Sequence, residues 1–101
     1  MAVTFVRSGL MMPGKYKEAM QWVGTRNKWL RETFDVDPTL QVLLGGPVGR
    51  VSIASHHDNI AQIEEIRRKL VSGAEPDEIS LAREGLFVPG YSRDRIWLQI
   101  D

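Results

Sequence analysis

Residues 40–55 read LQVLLGGPVGRVSIAS, and this stretch decides the fold. Two alternating apolar runs, Leu40/Val42/Leu44 and Val51/Ile53, flank Gly45-Gly46-Pro47-Val48-Gly49. Period-two alternation on both sides of a glycine-rich turn longer than two residues predicts a β-hairpin. The hairpin lies in mid-chain, so its flanks determine the architecture that contains it.

On the N-terminal side, Ala2–Leu10 places Val3, Phe5 and Arg7 on one face and Thr4, Val6, Ser8 and Leu10 on the other. This strand should end near Pro13-Gly14. From Lys15 the period lengthens. Tyr16, Met20, Val23, Leu30 and Phe34 share one side of a helix of roughly five turns, with Trp22 and Trp29 forming a stripe beside them. Asp35-Val36-Asp37-Pro38 should end that helix, because the residue before a proline avoids the helical region.

On the C-terminal side, Ser55-His56-His57-Asp58 reads as a helix cap, with both histidines in the first turn. Ile60, Ile63, Ile66 and Leu70 form the apolar stripe of a second helix, and Gly73 suits its end. Pro76-Asp77-Glu78 opens a short third helix with Ile79 and Ala82 inward and Gly85 closing it. Phe87–Tyr91 reads as a loop. Arg95–Ile100 is a last strand, with Ile96, Leu98 and Ile100 on one face and Arg95, Trp97 and Gln99 on the other.

The expected order is β-α-β-β-α-(α)-β, the ferredoxin-like α+β arrangement, in one domain spanning residues 1–101. Its four-stranded antiparallel sheet carries helices on one face only. The outer face would hold Val6, Leu43, Ala54 and Trp97 among Thr4, Gln41, Ser52 and Gln99. That face is too apolar to remain wet, and a symmetric partner is the commonest cover. A homodimer joined through the sheet, with Leu43 and Trp97 at the interface, is the expectation.

Composition narrows the function. Thirteen basic and thirteen acidic residues cancel, which argues against a nucleic-acid or anionic-membrane partner. The absence of cysteine removes disulfides, thiolate nucleophiles and thiolate metal sites. No cofactor and no metal are expected. The opening MAVTFVRSG has no secretory pattern and no apolar run approaches a membrane span, which suits a cytoplasmic, soluble chain.

The opening VTFVRSGLMMPGKYKEAMQWV, the central hairpin, the helix begun at Ser55 and the closing RIWLQI together resemble the dimeric α/β-barrel superfamily, with its antibiotic-biosynthesis-monooxygenase and NIPSNAP-like branches. The resemblance is one of layout and size over nearly the whole chain. It implies a barrel formed by two sheets and a ligand pocket between each sheet and its helices. It does not imply haem. The haem-degrading branch uses an Asn, a Trp and a His, whereas this chain has no Trp between Trp29 and Trp97 and only adjacent histidines.

Few residues could carry chemistry. His56 and His57 titrate nearest neutrality, and are either acid/base groups or solvated first-turn residues. Adjacent residues on a helix diverge by about 100°, so the two cannot readily share a metal. Arg7 among apolar neighbours is either an anchor for a carboxylate or enolate, or one half of an ion pair. Trp22 and Tyr91 are candidates for an aromatic ligand wall; core or interface filling is the plainer role for tryptophan here. The glycine-rich turn lacks the Lys-Ser/Thr and following helix of a phosphate loop. Val51–Ser55 lacks the stacking aromatics of an RNA-binding sheet. The expected function is binding of a small organic molecule. The alternatives are a cofactor-independent monooxygenase or isomerase on a small aromatic or carbonyl substrate, and a non-catalytic assembly module.

Overall fold

The computed structural model describes residues 2–46 and 48–100; Pro47 of the hairpin turn lies outside the described residues. The elements are β1 (Val3–Leu10), α1 (Tyr16–Phe34), β2 (Thr39–Val42), β3 (Arg50–His57), α2 (Ile60–Val71), α3 (Asp77–Ser80), a 3₁₀ turn (Leu81–Arg83) and β4 (Arg93–Leu98). The strands form one antiparallel sheet in the order β2-β3-β1-β4, the ferredoxin-like α+β topology expected.

The hairpin register pairs Thr39 with Ala54 and Val42 with Val51, and the Leu43 amide donates to the Arg50 carbonyl at 3.0 Å. Gly49 closes the turn at φ +89°, a conformation side chains resist. Its carbonyl accepts from the Met11 amide at 2.9 Å, tying the turn to the end of β1. Next to this junction Met11, Ala19 and Val51 form a core cluster, with Tyr16, Leu40, Leu86 and Phe87 packed around it.

α1 ends before Pro38 is reached. Asp35 takes a left-handed conformation at φ 53°, one its short polar side chain tolerates, and turns the chain toward β2. The buried stripe of α1 is Ala19, Val23, Asn27 and Leu30, whereas Met20 is left 40% exposed. Gly73 stands just past α2 at φ +93°, as expected. Ile79 is buried, but Ala82 faces solvent because the chain tightens into the 3₁₀ turn there.

Two expectations need correcting. Ser55-His56-His57 is not a helix cap. β3 runs on through His57 because Val3, Thr4 and Phe5 of β1 offer it partners. The cap is Asn59, whose Oδ1 accepts from the Gln62 amide at 3.0 Å. The last strand is Arg93–Leu98 rather than 95–100, and Ile96 and Leu98 are not core: they stay 45% and 49% exposed. The helices lie against β2 and β3, while β4 pairs with β1 and meets α2 through the Asp94–Arg67 ion pair.

Candidate functional site: a cleft between sheet and helices

Strand pairing assigns the faces. On the helix side, Arg7 is paired with Ile53 and Asp94, Phe5 with Ser55 and Ile96, and Val3 with His57 and Leu98. Above this floor, α1, α2 and the α3 segment leave two adjoining cavities of about 550 and 490 Å³. Arg7, Arg26, Ile53, Glu75 and Arg83 border both, so the two are lobes of one cleft. Each is of the size that holds a small organic molecule.

One lobe is aromatic. Trp22 donates its indole N–H to the Ile79 carbonyl at 2.8 Å and meets Phe87 edge to face at 5.7 Å. That hydrogen bond fixes the ring in the wall of this cavity. The other lobe is aliphatic, walled by Leu30, Ile63, Ile66 and Leu70 over Phe5.

The waist between the lobes is charged. Arg7 binds Asp94 through Nε–Oδ1 at 2.8 Å and Nη2–Oδ2 at 2.9 Å, a two-point pair across the β1–β4 ladder. This hydrogen bonding holds the Asp94 carboxyl below, and the Arg7 guanidinium above, their ordinary ranges. Arg26 binds Glu75 at 2.7 Å with both side chains largely shielded, and lies 5.8 Å from the Trp22 ring. Arg67 reaches Asp94 at 3.5 Å, and Arg83 lies 6.0 Å from the Phe87 ring. Together four guanidiniums (Arg7, Arg26, Arg67, Arg83) and three carboxylates (Glu75, Glu84, Asp94) line the cleft. The excess is one positive charge against apolar walls.

The histidines separate completely. Consecutive strand residues face opposite ways. His56 therefore points to the outer face, where Nδ1 meets Thr4 Oγ1 at 2.9 Å. His57 points inward, lines the aliphatic lobe and is 8% exposed. Ser55 Oγ lies 2.7 Å from its Nε2, and Gln62 Oε1 lies 3.1 Å from its Nδ1. Burial pushes the His57 pKa down, while the Gln62 hydrogen bond works against the shift.

Arg7, His57 and Trp22 thus share the cleft, and Arg7 also has the carboxylate partner that was its other reading. Tyr91 does not join them: it is 47% exposed on the loop after Gly90 and outside both cavity walls. Trp97 and Leu43 are 59% and 43% exposed, and Trp97 lies beside Thr4 on the outer face. Ser55, Gln62, Arg26, Glu75, Arg83 and Asp94 were not singled out from sequence. Arg26 carried a signal, since it stands four residues after Trp22 on the same helix face. Asp94 became visible only with the β1–β4 register.

No family model and no curated protein matches the sequence. Solved structures do match its shape. A NIPSNAP family protein of Agrobacterium tumefaciens superposes at TM-score 0.77 and 20% identity, covering 100% of this chain and 95% of that one. A NIPSNAP-like domain protein of Burkholderia xenovorans matches at TM-score 0.72 and 16% identity, over 98% and 85%. A candidate antibiotic biosynthesis monooxygenase of Deinococcus radiodurans matches at 0.65 and 13%, over 100% and 94%. At these identities the likeness is one of fold: the chain has the ferredoxin-like architecture found in NIPSNAP proteins and in that monooxygenase-like protein.

Proposed function

We propose that the protein binds a small organic acid, an anion with an aromatic or apolar body, in the cleft between its sheet and helices. The supporting observation is the excess guanidinium at the waist of an apolar-walled cavity. Asp94 takes the Nε and Nη2 edge of Arg7, and Nη1 carries no hydrogen bond among the described residues, so the fork retains donors for a second carboxylate. A pure assembly module would fill this space with side chains. An oxygenase reading would rest on the Deinococcus likeness alone.

The same reading includes a second copy of this chain on the outer face. β4 is an edge strand exposed on both sides, with Trp97 on one and Ile96 and Leu98 on the other. Such an edge invites association unless it is covered, and a two-fold partner covers it without a second gene product.

Calorimetric titration with 3-phenylpropanoate and with its uncharged amide tests the ligand class. The carboxylate should bind at least tenfold more tightly. Equal affinity, or no binding by either, overturns the assignment. Light scattering on the same sample should give twice the chain mass; a monomer overturns the pairing.

A further inference from the structure

We infer that the cleft takes an acid branched at the carbon next to its carboxyl, with the carboxylate at the waist, an aromatic arm in the Trp22 lobe and an alkyl arm in the aliphatic lobe. This deepens the organic-acid reading and rests on it.

β1 below the cleft and α1 above it give the same order of lobes. On β1, Gly9 borders the aromatic lobe, Arg7 borders both and Phe5 borders the aliphatic one. On α1, Trp22, Arg26 and Leu30 repeat that order at intervals of four residues. Residues two apart on a strand share a face, as do residues four apart on a helix. The lobes therefore lie in line between β1 and α1, one on each side of a charged midpoint. From midpoint to lobe is two residues of strand, about 7 Å. Along the helix it is four residues, about 6 Å. These lengths suit a benzyl group on one side and a short alkyl chain on the other.

The three parts ask for different chemistry. In the aromatic lobe, Trp22 and Phe87 meet edge to face at 5.7 Å, and a third ring can join such a pair in the same geometry. The aliphatic lobe presents Ile63, Ile66 and Leu70. His57 borders it as well, but Ser55 and Gln62 engage both ring nitrogens, so this lobe calls for no polar atom on its occupant. At the waist Arg7 pairs with Asp94 at 2.8 Å and Arg26 with Glu75 at 2.7 Å. Arg83 borders both lobes too and forms no ion pair among the described residues, which leaves its donors, with Nη1 of Arg7, for a ligand carboxylate.

One acid with two arms fits this cleft better than its alternatives. Two acids, one in each lobe, would bring two carboxylates to a waist whose excess is one positive charge. One acid confined to a single lobe would leave the apolar wall of the other against water. A single carboxylate carrying both arms avoids both penalties.

The test is calorimetry on the whole protein with three acids, each below its micellar concentration. Racemic 2-benzyloctanoate joins the arms of 3-phenylpropanoate and octanoate on one carboxylate. Its isomer 3-(4-hexylphenyl)propanoate has the same atoms and charge with both apolar groups on one side, so apolar content alone would give the two isomers one affinity. The expected result is one 2-benzyloctanoate per chain, bound at least tenfold more tightly than 3-phenylpropanoate and at least tenfold more tightly than the isomer. Ile66→Trp, which narrows the aliphatic lobe, should shrink the ratio of 2-benzyloctanoate to 3-phenylpropanoate affinity below tenfold. If 3-phenylpropanoate binds but 2-benzyloctanoate gains less than tenfold over it or over the isomer, the two-armed ligand is overturned and the organic-acid site stands. A ratio untouched by Ile66→Trp likewise removes the alkyl arm from this lobe. Absence of binding by all three acids overturns both readings.

Discussion

Gly49→Ala should be among the most costly single-methyl additions to this chain. The residue is buried at φ +89°, where an L side chain costs about 1–2 kcal/mol. A Cβ built there would also lie 2.7 Å from Tyr16 Oη, 2.9 Å from Cζ and 3.1 Å from Cε1. Tyr16 cannot swing freely aside, since its ring packs on the Met11/Ala19/Val51 cluster. Overpacking of that kind costs about 1–3 kcal/mol. The expected loss is therefore about 2–5 kcal/mol, against about 1–2 kcal/mol for Gly73→Ala, which has φ +93° and nothing within 4 Å. Urea unfolding followed by circular dichroism measures both; at a slope of about 2 kcal/mol/M, 3 kcal/mol moves the midpoint by about 1.5 M. Adding Tyr16→Ala should make the two changes non-additive by about 1–2 kcal/mol, since it removes the ring the methyl strikes. Equal losses for Gly49→Ala and Gly73→Ala would refute the close approach of turn and helix.

Three further outcomes follow from the site and the surfaces. Trp97→Asp places a charge at the centre of the proposed sheet-to-sheet contact and should give a folded monomer by sedimentation; an unchanged dimer would remove Trp97 from the interface. Asp94→Asn uncovers the Nε edge of Arg7 and should tighten 3-phenylpropanoate binding by calorimetry, while costing about 1 kcal/mol because the pair is partly screened by water; weaker binding would remove Arg7 as the anchor. Stability should also depend on pH in two steps. His57 has a depressed pKa in the folded protein, so the unfolded chain binds more protons below about pH 6.5 and stability falls as pH drops through that region. Asp94, also depressed, contributes stability that is present above about pH 4 and lost below it. His57→Gln should remove the upper step from urea midpoints measured against pH.

Much of the architecture was legible in the sequence because period carries it. Alternation around Gly45–Gly49 placed the central hairpin, and the change of spacing at Tyr16 placed α1. The errors arose where a distant partner outweighs local preference. Ser55 and Asp58 have good capping chemistry, but β1 offers Ser55, His56 and His57 ladder partners, so the strand continues and the cap moves to Asn59. Ile96 and Leu98 alternate as core residues do, yet they stay about half exposed on an edge strand. Pairing distance limited the site in the same way. Arg7 was visible as a charge in an apolar row, but Asp94 is 87 residues away and enters only through the β1–β4 register. Ser55, His57 and Gln62 meet because β3 runs on and α2 begins late, and no short-range pattern announces that.

The most direct test of the cleft as the binding site uses the three tryptophans. Trp22 lines it, Trp29 packs on Phe34 at 5.5 Å, and Trp97 faces outward from β4. Titrating ¹⁵N-labelled protein with 3-phenylpropanoate should move the Trp22 indole N–H resonance in a saturable way and leave those of Trp29 and Trp97 in place. A saturable shift confined to Trp97 or Trp29, or no shift in any of the three, would contradict a ligand held between sheet and helices.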